Sequence, residues 1–347
     1  MATMRDVAAL ARVSAKTVSR VFNGDQHVSR ATRTRVEAAL RQLNYVPSSL
    51  ATSFRAGRAP VIGVAIPDLV DPFFAALADA IGDLAMANRM SIVVTNLGQD
   101  PAYERDKEVV EALLRQSISG LIIAPSATDH AYLETWSSRL PIVFVDRPPV
   151  RVAADSFTED DHGGAYEATQ HLVLHGHRRV AFIGDTLLLA TTKNRLAGYK
   201  AAVEDNGAAI DPDYIELGVW YRNDAVKAIG RIDSLTHPPT AIFCSNGRCS
   251  MVVVPALRGK KYAFVSFGDF PMADMLVPAL TVIDQDPAAL GTLAAQRVLD
   301  RLNHPERRYR RRTVLPVSLL ERESCFPAAG AAESPAPAYA DRPDQSA

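Results

Sequence analysis

Lys16 and Arg20 stand four residues apart in the run Ser14-Ala15-Lys16-Thr17-Val18-Ser19-Arg20-Val21. On a helix that spacing puts both side chains on one face. Either can donate to guanine O6 and N7, and the Ala15 methyl can meet a thymine methyl. Ser14, Thr17 and Ser19, together with the helix N-terminus, suit phosphate oxygens. The chemistry these types and spacings point to is recognition of duplex DNA. Metal chemistry is the other candidate, because His171, His175 and His177 lie close together, two of them at i, i+4. Gly176 between them reads as a helix C-cap, however, and no metal site is expected. Cys244 and Cys249 lack a second Cys or His pair at zinc spacing and read as structural thiols. The chain has no Gly-x-Gly-x-x-Gly after a strand, no P-loop, no His-Glu-x-x-His and no Gly-x-Ser-x-Gly. No cofactor and no enzymatic activity are therefore expected.

The elements that must position the DNA-facing residues are three short helices in the first 45 residues. Thr3 caps the first, with Asp6 completing a capping box, and Val7 and Ala11 share a face. Arg12-Val13 is a tight connection, and Ser14 caps a second helix reaching about Phe22. In it Val18, Val21 and Phe22 face inward, leaving Ala15, Lys16, Ser19 and Arg20 outward. Asn23-Gly24-Asp25 breaks the helix. Ser29 then caps a third, whose Val36, Leu40 and Leu43 form an apolar stripe. A helix, a tight turn and a second capped helix with a polar outer face is helix-turn-helix anatomy.

From Val61 onward short apolar runs alternate with longer amphipathic segments. The runs are Val61–Pro67, Ser91–Asn96, Gly120–Pro125, Pro141–Asp146, Arg179–Gly184, Thr240–Ser245 and Tyr262–Gly268. Helical patterns such as Phe73–Asn88 and Ala102–Gln116 lie between them. Continuous apolar strands alternating with helices predict parallel sheets covered on both faces. The length of this region suits two similar lobes. The fold expected is thus an all-α helix-turn-helix headpiece plus an α/β two-lobed core. Five Arg in the six residues Arg307–Arg312 read as a solvated loop before the last strand. Pro327–Ala347 has eight Ala and four Pro among 21 residues and is expected to be disordered.

Charge separates the two parts. The whole chain carries −1, yet residues 1–60 hold ten basic side chains against Asp6, Asp25 and Glu37, a net +7 that leaves −8 for the rest. A basic module leading an acidic body is the electrostatic footprint of a DNA reader, although a solvated basic helix without a partner would carry the same charge. No apolar run approaches the roughly 18 residues a membrane span needs. Arg5, Asp6 and Arg12 interrupt any leading apolar stretch, so no secretory signal is expected. Three cysteines in 347 residues suit a reducing compartment. A cytoplasmic protein is predicted.

The run Met4-Arg5-Asp6-Val7-Ala8, with Val13 through Asn23, Val28-Ser29, Thr32-Arg33 and Leu43-Asn44-Tyr45-Val46-Pro47, closely resembles the LacI/GalR family of bacterial repressors. The likeness continues through Ile62-Gly63-Val64, Asp71-Pro72-Phe73-Phe74, Gly120-Leu121-Ile122, Ile142 through Arg147, Gly176 through Gly184 and Arg195-Leu196-Ala197-Gly198-Tyr199. It covers roughly residues 3–325. The resemblance implies residues 1–46 as the DNA-binding headpiece and 47–60 as hinge helix and linker. It makes 61–326 a periplasmic-binding-protein-like core for effector binding and dimerisation, with 327–347 as the tail. It implies a homodimer on a near-palindromic operator, with Ala15, Lys16 and Arg20 reading bases. The hinge helix corresponds to Ser48–Ala56. There the family's leucine wedge and the arginine two residues before it are replaced by Phe54 and Thr52. Phe54 is still a competent wedge for unstacking a base step.

In the core, the resemblance implies Phe73 or Phe74 as an aromatic wall for the effector. Asp146, Arg147, Arg195, Asn246, Asp269 and Gln285 correspond to its polar lining. Aromatic faces with charged and amide groups suit a polyhydroxylated ligand, a sugar or sugar derivative. Family members share Gly-His-Arg at Gly176–Arg178 without metal. Departures fall in the C-terminal lobe. Asn246-Gly247 stands for the usual Asn-Asp, Phe267-Gly268-Asp269 for Phe-Asp-Asp, and the stretch from Asn246 to Phe267 is shortened. Two other classes compete with a ligand-responsive repressor. An exported sugar-binding protein would account for the core alone, and an enzyme on a doubly wound fold would show turnover of candidate sugars.

Overall fold

The computed structural model describes residues 2–22, 25, 27–44, 60–98 and 104–327, with the side chains of Phe22 and Glu104 excepted. The chain divides into two compact units, Met1–Pro60 and Val61–Ala347. The expected hinge helix with Thr52 and Phe54, the Asn23-Gly24 break, the inward packing of Phe22 and the tail after Pro327 lie outside the described residues.

The first unit contains α1 (Met4–Leu10), α2 (Ala15–Phe22) and α3 (Arg30–Gln42). Thr3 caps α1 with a capping box closed by Asp6, and the Ser29 side chain accepts from the Thr32 amide at the start of α3. The turn between α1 and α2 is tight because Arg12 adopts φ +53, which lets the Val13 amide donate to the Ala8 carbonyl at 3.0 Å. Val7, Val18 and Val36, one from each helix, are at most 1 % exposed. Ala39 joins them, whereas the expected Leu40 and Leu43 are only half-buried at the margin.

The second unit has two six-stranded sheets. The first lobe contributes β1 (Val61–Ile66), α4 (Pro72–Ala87), β2 (Ser91–Asn96), α5 (Glu104–Leu114), β3 (Gly120–Ile123), α6 (Glu134–Ser137), β4 (Ile142–Val145) and β5 (Asp155–Glu159). The second contributes α7 (Asp161–Leu174), β6 (Val180–Ile183), α8 (Ala190–Asp205), β7 (Ile215–Glu216), α9 (Arg222–Asp233), β8 (Ala241–Cys244), α10 (Gly247–Val253), β9 (Ala263–Phe267) and β10 (Thr281–Asp284). The chain then returns to the first lobe with α11 (Pro287–Asn303) and β11 (Arg312–Leu315), and ends in the second with β12 (Ser318–Leu320).

Strand order is β11-β5-β4-β3-β1-β2 in the first sheet and β12-β10-β9-β8-β6-β7 in the second. All pairs are parallel except β10–β12. The apolar runs become strands because helices cover both faces. In the first lobe Leu77 and Ile81 of α4 and Leu290 and Val298 of α11 pack on one face of β1, and Val110 and Leu113 of α5 lie over the other. In the second, Leu172 and Tyr199 face β6 from one side, and Ala225 and Ile229 from the other.

Three segments cross between the lobes, at Glu159–Asp161, Asp284–Pro287 and Leu315–Ser318. Strands β5, β10, β11 and β12 flank these crossings, and only the last strand was anticipated from the sequence. Asp-Ser-Phe-Thr-Glu of β5 is not among the apolar runs of the sequence, yet all five residues are buried. Its leading carboxylate is satisfied by Arg301, whose Nε and Nη2 both donate at 2.8 Å, with Arg297 close by. A polar strand is tolerated where a distant helix supplies its partners.

The two helices over β1 touch backbone to backbone at Gly291. A Cβ built there would meet the Leu77 carbonyl oxygen at 2.5 Å. Gly291→Ala must push α4 and α11 apart and should lower core stability by about 1–3 kcal/mol. Both tryptophans, Trp136 and Trp220, lie in the second unit, so urea unfolding followed by tryptophan fluorescence reports that unit. An unchanged midpoint would show that this approach is not tight.

Candidate functional site

Two sites emerge, one in each unit. In the headpiece, Lys16 and Arg20 are exposed on α2, while Thr17 and Ser19 are half-buried. Ser14 Oγ accepts from the Thr17 amide at 3.1 Å, so the expected cap forms. Ala15, expected outward, is half-buried, with part of its surface against the headpiece core. Arg20 Nε donates to Asp25 Oδ2 at 2.6 Å. The Asp25 carboxyl, which also accepts from the His27 amide at 2.9 Å, is held below its ordinary value by Arg20 first and by that amide second. Asp25 was not singled out from the sequence. It engages Nε, the inner nitrogen of the guanidinium, and so orients the outer fork that bidentate base contacts use.

The second site is a cleft between the two lobes, bordered by loops at the carboxyl ends of β1, β4, β6, β8, β9 and β10. Parallel α/β sheets place ligands at that end. All eight side chains assigned there by resemblance line it: Phe73, Phe74, Asp146, Arg147, Arg195, Asn246, Asp269 and Gln285. They differ in what they can offer. Asp71 caps α4, accepting from the Phe73 amide at 3.0 Å, and Pro72 sits at the first helical position. That cap aims Phe73 at the cleft while Phe74 is 5 % exposed within the first-lobe core. The rings meet edge to face at 5.1 Å, so Phe74 buttresses and Phe73 presents the wall.

Asp146 follows β4 with φ +64, a left-handed conformation that Asp tolerates better than most residues. Its carboxylate pairs with Arg147 Nε at 3.1 Å, and Arg147 Nη1 donates to the Pro125 carbonyl at 2.7 Å. Arg195 is 4 % exposed on the cleft floor. Its Nε donates to Asp161 Oδ1 at 2.7 Å, its Nη1 to the Ser245 carbonyl at 2.7 Å, and its plane lies 3.7 Å from the centre of the Phe267 ring. Asn246 caps α10 through Cys249 and donates Nδ2 to Asp185 at 3.2 Å. Asp269 reaches the lining but spends both carboxylate oxygens on Arg322. Gln285 donates Nε2 to Glu159, linking two of the crossings. Gly247, in place of the family's Asp, leaves ordinary van der Waals space toward the Asp269 carbonyl.

Other lining residues escaped the sequence reading. Trp220 brings an aromatic ring from the second lobe, and Asp185 is held by Thr192 and the Thr186 amide. Arg248 Nε lies 3.3 Å from Asp68 Oδ2, an ion pair joining the second lobe to the first across the cleft. Strand-end position after Gly184 was the available signal for Asp185. Trp220 sits in a loop and Arg248 in the first turn of α10, and the approach of both to the cleft depends on the two sheets being placed together.

The acids of the cleft do not share one protonation state. Burial, then repulsion from Asp146, pushes the Glu159 carboxyl up to about 8, against the attraction of Arg195. Burial raises Asp161 to about 6 against the opposing Arg195, so it is ionised near neutral pH. Burial likewise raises Asp71 to about 6. Glu159 in the folded chain thus holds a proton that the unfolded chain releases at its ordinary value of 4.5. Its contribution to stability is complete below that value and is lost as pH rises through about 8. Glu159→Gln keeps an acceptor for Gln285 without the titration. It should flatten stability against pH in that window and stabilise the core at pH 8 by on the order of 1–3 kcal/mol, measured by urea unfolding at stepped pH. Parallel pH profiles for the two proteins would disprove the assignment.

Comparison with known proteins places both units of the chain in one family. The family model described as bacterial regulatory proteins, lacI family, matches residues 3–48, and that of a periplasmic binding protein-like domain matches 169–325. The ribose operon repressor of Escherichia coli strain K12 is 32% identical over 334 residues, covering 93% of this chain and 100% of the relative. The PurR repressor of Mannheimia succiniciproducens is 29% identical over 314 residues, covering 88% of this chain and 93% of its own. Among solved structures, a lac repressor dimer bound to operator and the anti-inducer ONPF superposes with TM-score 0.81 at 29% identity, covering 94% of this chain and 99% of that one. A regulator from Enterococcus faecium with bound ribose gives 0.68 at 25% identity, covering 77% of this chain and 99% of the other. With a basic helix-turn-helix at its head and a two-lobed cleft behind it, the chain belongs to the LacI family of DNA-binding transcriptional regulators.

Proposed function

We propose that this protein is a cytoplasmic repressor that binds a near-palindromic operator as a homodimer and reads a small carbohydrate in its cleft. The observation that carries the effector half is the convergence of Phe73, Asp146, Arg147, Arg195, Asn246 and Gln285, far apart in sequence, on one cleft at the strand ends. A ring wall with carboxylates, guanidinium groups and amides suits the apolar faces and hydroxyls of a sugar. Relatives named for the ribose operon, and a structural neighbour holding ribose, favour a pentose-sized ligand. Among the described residues no helix is long and apolar enough to cross a membrane. The relatives are named as repressors, and the role proposed for the cleft is binding without turnover.

The domain roles follow the same reading. Residues 1–46 form the headpiece, 47–60 the hinge and linker, 61–326 the effector and dimerisation core, and 327–347 the tail. Ser14, Thr17 and Ser19 position α2 on phosphates, Ala15, Lys16 and Arg20 meet base edges, and Phe54 wedges the central step. Sugar entering between the lobes replaces water around the Arg147 and Asp146 pair and biases lobe closure. A coupling of about 1–3 kcal/mol would change operator affinity roughly 5- to 150-fold.

Operator selection from a random duplex library at physiological salt, followed by titration of ribose and other monosaccharides onto the selected site, tests the whole reading. A pseudo-palindrome whose affinity responds to one sugar is expected. Recovery of unrelated sequences only would defeat it. Lys16→Ala and Arg20→Ala should each weaken operator binding by about 1–3 kcal/mol in fluorescence anisotropy while sparing sugar binding. Asp146→Asn should do the reverse, losing the sugar response by at least about tenfold with operator affinity retained. If Asp146→Asn responds to sugar like the parent, the cleft is not the effector site.

A further inference from the structure

Away from the cleft, α7 ends with two imidazoles one turn apart, His171 and His175, on the same helix face. His171 is 8 % exposed, and its Nε2 is buried with no hydrogen-bond partner. Leaving a buried polar nitrogen unmatched costs about 1–3 kcal/mol, so such an atom calls for a partner. His175 is arranged differently. Its Nδ1 lies 2.9 Å from the His171 carbonyl, which can only accept, so that nitrogen carries the proton. In the neutral ring this leaves the lone pair of Nε2 available for a ligand, 3.9 Å from Oε1 of Glu321. That distance is too long for a hydrogen bond.

The three side chains each direct one ligand atom into a common space, with all three atoms within 4.8 Å of one another. The imidazole rings lie 4.4 Å apart, centre to centre. Glu321 comes from a pinned backbone just after β12. The Arg322 amide donates to Thr281 Oγ1 at 3.0 Å, and the Glu323 amide to the Ala279 carbonyl at 3.0 Å. None of the three lines the effector cleft.

We infer that His171, His175 and Glu321 form a binding site for a zinc-class divalent transition metal, with water completing its shell. Two neutral imidazole nitrogens and one carboxylate are ordinary zinc ligands, whereas calcium and magnesium take oxygen-only sets. A ring whose other N–H donates to a backbone carbonyl, as His175 does, has the outer-shell bond that fixes the tautomer of metal-bound histidine. Metal–ligand bonds of about 2.0–2.2 Å require the three atoms to close by roughly an ångström from their present spread. Glu321, exposed, can supply that movement by rotamer change. The bound ion ties the end of α7 to the segment leaving β12, and so braces the second lobe. In the sequence Gly176 reads as a helix C-cap and no metal is expected, and Glu321 lies far along the chain, where adjacency cannot be read.

Zinc chloride titrated calorimetrically into the chelator-treated full-length protein tests the site. One zinc per chain is expected, with a raised melting temperature. His175→Gln and Glu321→Gln should each weaken binding by at least about tenfold. Glu321 is exposed, so its variant will fold even where a histidine variant does not. Cobalt(II) in the same protein should show ligand-field bands without a thiolate charge-transfer band, which separates this site from Cys244, Cys249 and Cys325. Absence of zinc binding, equal binding by parent and Glu321→Gln, or a thiolate band would each overturn the proposal.

Discussion

The pairing of Arg195 with Asp161 is the interaction on which the rest of the core depends. Both side chains are almost wholly buried, and neither charge can be removed from its partner without leaving the other stranded, a loss of about 3–5 kcal/mol in comparable pairs. Asp161 is the first residue of α7, immediately after the chain has crossed between lobes. Arg195 extends from α8, and its Nη1 donates to the Ser245 carbonyl while the guanidinium carbon lies over the Phe267 ring. One guanidinium therefore joins a crossing, two helices and the ends of β8 and β9. A lysine could not do this, because a compact ammonium has neither the fork nor the face.

That arrangement places the hinge and the cleft in the same few residues. Glu159 and Asp161 bracket the first crossing, Gln285 lies in the second, and both crossings are linked by the Gln285–Glu159 hydrogen bond. Arg195 and Gln285 also line the cleft. The proposed ligand, touching them, would lie against the segments that join the lobes, and the Asp68–Arg248 pair spans the lobes on the same cleft. Only differential contact between open and closed forms can shift such an equilibrium, and the proposed effector would make its contacts at these crossings.

The electrostatic division of labour runs along the chain. The +7 carried by residues 1–60 suits phosphates, whose contacts carry position but no sequence, while the exposed Lys16 and Arg20 of α2 offer the donors that the proposed base contacts would use. Asp25 draws Arg20 into a defined orientation, an acid serving a basic surface. In the core, acids outnumber bases, and burial keeps a proton on Glu159 so that Asp146, Glu159 and Asp161 can share a small volume with one Arg195.

The headpiece was legible in the sequence because its determinants are local. Thr3 with Asp6, Ser14 with Thr17 and Ser29 with Thr32 are caps formed within three residues, and they place α1, α2 and α3 almost to the residue. The seven apolar runs were equally plain, since a strand buried on both faces must be apolar throughout. Tertiary structure alone decided the polar strand β5, whose Asp155 is acceptable only because Arg301 arrives from a helix far along the chain. It likewise decided that Phe73 faces the cleft while Phe74 fills the core, and that Asp269 is spent on Arg322. Trp220, Arg248 and Glu321 were invisible for the same reason. Their roles depend on which distant segments meet them, and that is set by the packing of whole sheets and helices, where neighbouring residues carry no signal.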